Sequence, residues 1–151
     1  METRVCDLSE APVAQLLELH DREMAQFSPS GTNHSLDLEA LMAPDIEVLG
    51  TWDGAHLRAV GALKLHADFA EIKSMRAHPE ARGTGAGKIM LQGLIDRACE
   101  HGFAAIKLET GSGPYFEPAL GLYRAFGFEP CEAFAQYTPG EHNQLFSLDV
   151  S

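Results

Sequence analysis

Between an extended run, Phe69 to Met75, and a long amphipathic helix, the chain carries Arg82-Gly83-Thr84-Gly85-Ala86-Gly87. Three alternating glycines leave main-chain N–H groups uncovered by side chains. The first turn of the next helix adds unpaired amides and a partial positive charge. Together these make a cradle for a phosphate or pyrophosphate. A strand follows the helix, so the pattern calls for an α/β sheet with a right-handed crossover between parallel strands.

Three cradle types compete. A P-loop needs Gly, four residues, then Gly-Lys-Ser/Thr. Gly87-Lys88 fits its end, but Arg82 stands where the first glycine belongs and Ile89 where a hydroxyl belongs. A dinucleotide fingerprint needs Gly-x-Gly-x-x-Gly. Counted from Gly83 or Gly85, its third glycine falls on Lys88 or Met90. The third type, Arg/Gln-x-x-Gly-x-Gly/Ala, fits Arg82 to Gly87. Here the sequence resembles the GNAT N-acetyltransferases, whose motif binds the pyrophosphate of acetyl-coenzyme A. The likeness extends upstream through Ala77-His78-Pro79-Glu80-Ala81. Downstream, Leu122-Tyr123-Arg124-Ala125-Phe126-Gly127-Phe128 is similar to the family's Leu-Tyr-x-x-x-Gly-Phe segment.

The resemblance covers most of the chain from Ile46 onward, and the N-terminal helices more loosely. It implies a GNAT fold of mixed α/β type: a six- to seven-stranded mixed sheet flanked by about four helices. Residues 1–151 are expected to form one domain, in keeping with the length.

Composition narrows the partners. Lys and Arg number 11 against 22 Asp and Glu, a formal charge of −11. Such a surface repels nucleic acid and anionic membranes. It suits amine substrates, and it leaves an anionic cofactor dependent on local cations and amides. Arg76, Arg82 and Lys88 cluster in sequence at the cradle; a merely solvated face is the alternative reading of them. No apolar stretch reaches the length of a membrane span, and the first residues lack a secretory pattern. A cytoplasmic protein is expected. Cys6, Cys99 and Cys131 are widely spaced and form no zinc motif, so no metal is expected and the thiols are read as reduced. Cys99 is assigned to the apolar side of its helix.

Periodicity and turn chemistry give the elements. Thr3 to Asp7 reads as a strand, then a helix runs from an N-cap at Ser9 to Phe27. Its stripe is Val13, Leu16, Leu17 and Met24, with His20 beside it in a packing role. A loop and a short helix, Leu36 to Met42, follow. Strands are predicted over Ile46–Thr51, Leu57–Leu65 and Phe69–Ala77, with a hairpin at Asp53-Gly54. The helix after the cradle ends near His101, with Gly102 as C-cap. A strand at Ala104–Glu109, a helix at Pro118–Phe126, and strands from Phe128 and from Leu145 complete the set.

Acetyl transfer needs a base for the amine, an N–H donor for the developing oxyanion and a proton for the departing thiolate. The segment around Glu71 is similar to histone-type family members, which place a glutamate base there. Strand alternation sets Glu71, Lys73 and Met75 on one face. Lys73 either tunes that carboxylate, contacts substrate or pairs with it as an ordinary ion pair. Tyr123 matches the family's tyrosine proton donor, and core packing beside Leu122 is its alternative role. By the same resemblance, Met75 and Ala77 hold the pantetheine arm through their main chains. Arg76, Arg82, Gly83, Thr84, Gly85, Ala86, Gly87 and Lys88 complete the cofactor set. On the acceptor side stand His34 and Glu109. His34, in the Ser28–Ser35 loop, contacts substrate, orients Glu71, acts as the base itself or has no role. Glu109, at the C-terminal end of a strand where open sheets place ligands, binds the acceptor amine or caps the following helix. Tyr115 and Phe116 either line the pocket or pack. The implied cosubstrate is acetyl-CoA and the implied acceptor a small-molecule amine; a peptide N-terminus, a non-catalytic acyl-CoA sensor and a homodimer stay open.

Overall fold

Strand residues alternate between two apolar layers, and that alternation decides which helix covers which face. Val48, Leu57, Val60 and Ala62 point to one side of the sheet, where they pack on Val13, Leu16 and Leu17. Leu49, Ala59 and Leu63 point to the other, against Met90, Leu91 and Leu94. In the computed structural model, which describes residues 1–28, 37–137, 140 and 143–151, the strands are β1 (Glu2–Cys6), β2 (Ile46–Asp53), β3 (His56–Leu65), β4 (Ala70–Ala77), β5 (Ala105–Gly111), β6 (Glu129–Pro130) and β7 (Asn143–Asp149). The helices are α1 (Ala11–Phe27), α2 (Ala86–Glu100) and α3 (Glu117–Ala125).

The sheet is seven-stranded, in the order β1-β2-β3-β4-β5-β7-β6. Among the described residues only β4 and β5 pair in parallel, joined through α2. The mixed α/β architecture expected from the sequence is therefore present, with three α-helices among the described residues. The expected short helix before Pro44 shrinks to a single 3-10 turn, Ala40–Met42; its first residue, Leu36, lies outside the described residues.

Two features of the sheet shape the site. First, the β4–β5 ladder runs only from Ala70 to Ile72 against Ile106 to Leu108. Beyond it the two strands part, with Lys73–Ala77 on one side and Glu109–Gly111 on the other. Second, β4 carries a bulge. Val60 opposes Arg76 while Ala62 opposes Lys73, so Ser74 and Met75 together face Gly61. Ser74 takes a positive φ of 54°. A bulge of this kind re-aims the side chains after it. Met75 accordingly joins the cluster of Ile72, not the side of Glu71 and Lys73 that simple alternation predicts.

Two local expectations are corrected. Glu10, not Ser9, is the cap residue of α1. Its carboxylate turns back to accept from the Asp7 N–H at 2.9 Å and to pair with Arg4. Cys99 is exposed, because the buried row of α2 is Met90, Leu91, Leu94, Ile95 and Ala98. Gly102 does end that helix, at φ 86°.

Candidate active site

Where β4 and β5 part, they open a cavity of about 880 Å³. Three groups of residues wall it. The loop after β4 and the start of α2 supply Arg82, Gly83, Gly85, Ala86, Gly87 and Lys88. The parted strands supply Glu71, Lys73, Ser74, Met75, Arg76, Ala77 and Glu109. Helices complete it with His20, Glu23, Met24 and Phe27 from α1 and Ala119, Leu122 and Tyr123 from α3. The sequence-predicted residues are thus brought together, with two exceptions. Thr84 is not on the cavity wall, and its hydroxyl donates to the Ala81 carbonyl. His34 lies outside the described residues.

The cradle is built by conformation. Gly83 and Gly85 have φ of 79° and 85°, which a side chain resists. A Cβ built at either would meet nothing within 4 Å. Their main chains therefore present bare, open surface at the start of α2, flanked by Arg82 and Lys88. Amides and two cations at a helix N-terminus fit a diphosphate.

Behind the parted strands sits a buried polar cluster. Glu71 is 1 % exposed. Its Oε1 lies 2.9 Å from His66 Nε2, and its Oε2 accepts from the Tyr137 hydroxyl at 2.6 Å and from Lys73 Nζ at 3.4 Å. Lys73 Nζ also donates to Tyr137. Burial, then the Glu71 contact, push the Tyr137 phenol up, so it stays protonated at neutral pH. Glu71 and Lys73 are therefore paired as expected, but in the interior and not on a surface.

A second cluster joins α1 to β4. Arg76 Nη2 donates to Glu23 at 2.9 Å, and its Nε donates to the Ala77 carbonyl. The Tyr115 hydroxyl donates to Glu23 at 3.1 Å, and the Tyr115 ring stacks on Phe27 at 4.3 Å. Hydrogen bonding from Arg76 holds the Glu23 carboxyl below its usual range. Arg76 thus lines the cavity with its charge already engaged. His20 lies among these groups. Burial, then the charge of Arg76, lower its imidazole from 6.5 to about 4. Its Nδ1 and the Ser74 hydroxyl are buried with no hydrogen-bond partner among the described residues. Orphaned polar atoms on a cavity wall are what a bound ligand would satisfy.

Tyr123 lines the cavity at 6 % exposure and meets Phe128 edge-on at 5.8 Å. Burial pushes its phenol up. It serves both readings made of it, a core residue and a cavity wall. So does Tyr115.

The profile of the Acetyltransferase (GNAT) family matches residues 13–128. The chain belongs to that family. Among its relatives is the uncharacterized N-acetyltransferase YsnE of Bacillus subtilis, 41 % identical over 138 residues that cover 91 % of each chain. An IAA acetyltransferase of Azospirillum brasilense is 35 % identical over 129 residues, 84 % of this chain and 83 % of its own. In structure, a Bacillus subtilis acetyltransferase in complex with CoA superposes with a TM-score of 0.72 at 17 % identity, covering 98 % of this chain and 97 % of that one. At that identity the likeness shows the fold.

Sequence reasoning missed four contributors. His66 and Tyr137 sit in turns whose local sequence gives no periodic signal. Glu23 and Phe27 were legible in principle. They continue the α1 stripe at helical spacing from His20, where it turns from apolar to polar.

Proposed function

We propose that this GNAT acetyltransferase moves the acetyl group of acetyl-CoA to the primary amine of a small, amino-acid-like acceptor, with residues 1–151 acting as one domain. The observation that carries the reading is one cavity that runs from the glycine cradle to Glu71 and Tyr123. When bound, acetyl-CoA supplies an acyl group already activated as a thioester. The amides of Gly83, Gly85 and Gly87, with Arg82 and Lys88, take the diphosphate. The main chains of Met75 and Ala77 flank the pantetheine arm on the edge of β4 that β5 has left unpaired.

Glu71 takes the proton of the acceptor ammonium and leaves a nucleophilic nitrogen. Lys73 and Tyr137 hold that carboxylate in place. Tyr123, protonated at neutral pH because it is buried, hands a proton to the departing thiolate. The acceptor enters from the Phe27–Tyr115 side, near Glu109. A cavity of about 880 Å³ suits a compact ligand beside the cofactor arm. The net charge of −11 favours a cationic acceptor and agrees with a cytoplasmic protein that avoids nucleic acid and membranes; among the described residues no helix is long and apolar enough to cross a membrane.

The test is thiol release from acetyl-CoA across a panel of amines, amino acids and N-terminal peptides. Turnover with free amines or amino acids is expected. Turnover restricted to peptides would move the acceptor class. Binding of acetyl-CoA with no turnover at all would leave an acyl-CoA sensor in place of an enzyme.

A further inference from the structure

Glu71 faces the cavity, yet its bond to His66 points away from it. His66 is not among the cavity-lining residues, and its side chain is 21 % exposed against 2 % for that of Glu71. The ring is held in place. It stacks on Phe69 at 4.2 Å, and the main-chain N–H of His66 donates to the Phe69 carbonyl across the β3–β4 turn. The carboxylate therefore bridges two compartments, the reaction cavity on one side and a partly solvated imidazole on the other.

We propose that His66 is the proton exit of the acetyl transfer, a positioning residue that clears Glu71 after each turnover. This rests on Glu71 being the base. An ammonium acceptor sheds two protons on becoming an amide. One ends on the coenzyme A sulfur and the other must reach water. With acceptor and thioester bound, the cavity side of Glu71 is occupied. Lys73 and Tyr137 meet its Oε2 as donors, so neither takes the proton there. Oε1, 2.9 Å from Nε2, is the remaining route. The Glu71 O–H bond breaks as Nε2 of the Nδ1–H tautomer gains the proton. The imidazolium then loses its Nδ1 proton to water. This leaves a carboxylate accepting from Nε2–H, and exchange with water restores the first tautomer. No electrons change hands and one proton is delivered to solvent.

Three variants of the full chain test this by steady-state kinetics. In H66Q the amide still donates to Oε1 but cannot relay a proton. In H66A both functions are lost. E71Q reports on the base itself. The expected result is a fall in kcat of about 10- to 100-fold in both H66Q and H66A. KM for acetyl-CoA should stay unchanged, and added imidazole should restore kcat in H66A but not in E71Q. A kcat for H66Q within twofold of the parent overturns the exit. So does a loss in folded H66A that imidazole leaves unrestored; if H66A fails to fold, H66Q decides alone. E71Q at the parental rate would instead remove the base on which the exit depends.

Discussion

Glu71 keeps three polar neighbours at 1 % exposure. A buried carboxylate is tolerated only when paired and hydrogen-bonded, so this arrangement is costly to build and expensive to disturb. Its substitution separates chemistry from folding. E71Q retains volume and hydrogen-bonding atoms, and should lower kcat by about 10²- to 10³-fold with little change in KM for acetyl-CoA. At Tyr123 the change to Phe removes only the hydroxyl, which makes no side-chain hydrogen bond among the described residues. A kcat lower by about tenfold with unchanged Tm is expected, read by paired kinetics and thermal melts. Unchanged kcat would reduce Tyr123 to packing against Phe128. His20 shows how the two levels differ in what they reveal. Its place on the α1 stripe was legible, and its burial followed. Its position on the cavity wall was not, because that depends on β4 and α1 meeting across half the chain.

At the scale of elements, the cradle was legible because local chemistry dictates it. Gly83 and Gly85 adopt the left-handed backbone that alternation of glycine suggests. Substituting Gly85 by Ala should cost about 1 kcal/mol through strain alone, since the added methyl meets nothing. Its larger effect should be weaker acetyl-CoA binding, measured by calorimetry. Gly93 on α2 is a different case. A Cβ there would stand 2.6 Å from Thr3 Cγ2 on β1, and Thr3 is itself held by a 2.7 Å hydrogen bond to Thr51. Gly93→Ala should lower stability by about 1–3 kcal/mol in urea unfolding, with the KM for acetyl-CoA unmoved. The strands and long helices were readable from period and turn residues. The bulge at Ser74–Met75 was not. It depends on pairing with Gly61, a partner no local pattern names, and it moved Met75 to the opposite face. Tyr137 was hidden for the same reason: a short coil segment carries it to β4 from 66 positions away.

Across the whole molecule, charge and burial set the response to pH. His20 holds a proton less readily folded than unfolded, with its imidazole lowered to about 4 from 6.5. Between those values the unfolded chain binds more protons, so stability rises with pH and falls on acidification. The loss between pH 7 and pH 5 should be about 2 kcal/mol. H20Q, which cannot titrate, should flatten that stretch of the urea-unfolding profile. Glu47, lowered to about 2 chiefly by hydrogen bonding from Arg97, acts in a separate window. Its contribution is present above the ordinary carboxyl range and is lost as pH falls from there toward 2. A formal charge of −11 also means that the anionic cofactor is admitted only by the local field of Arg82, Lys88 and the α2 amides. Added salt should therefore weaken acetyl-CoA binding through those contacts.

That grip is the claim on which the rest stands, and amide NMR of the labelled chain titrated with acetyl-CoA tests it most directly. The amides of Gly83 to Lys88 should shift first and most, with those of Met75 and Ala77 following and β1 and β2 unmoved. A folded protein whose amides at 83–88 stay in place at saturating acetyl-CoA would contradict it.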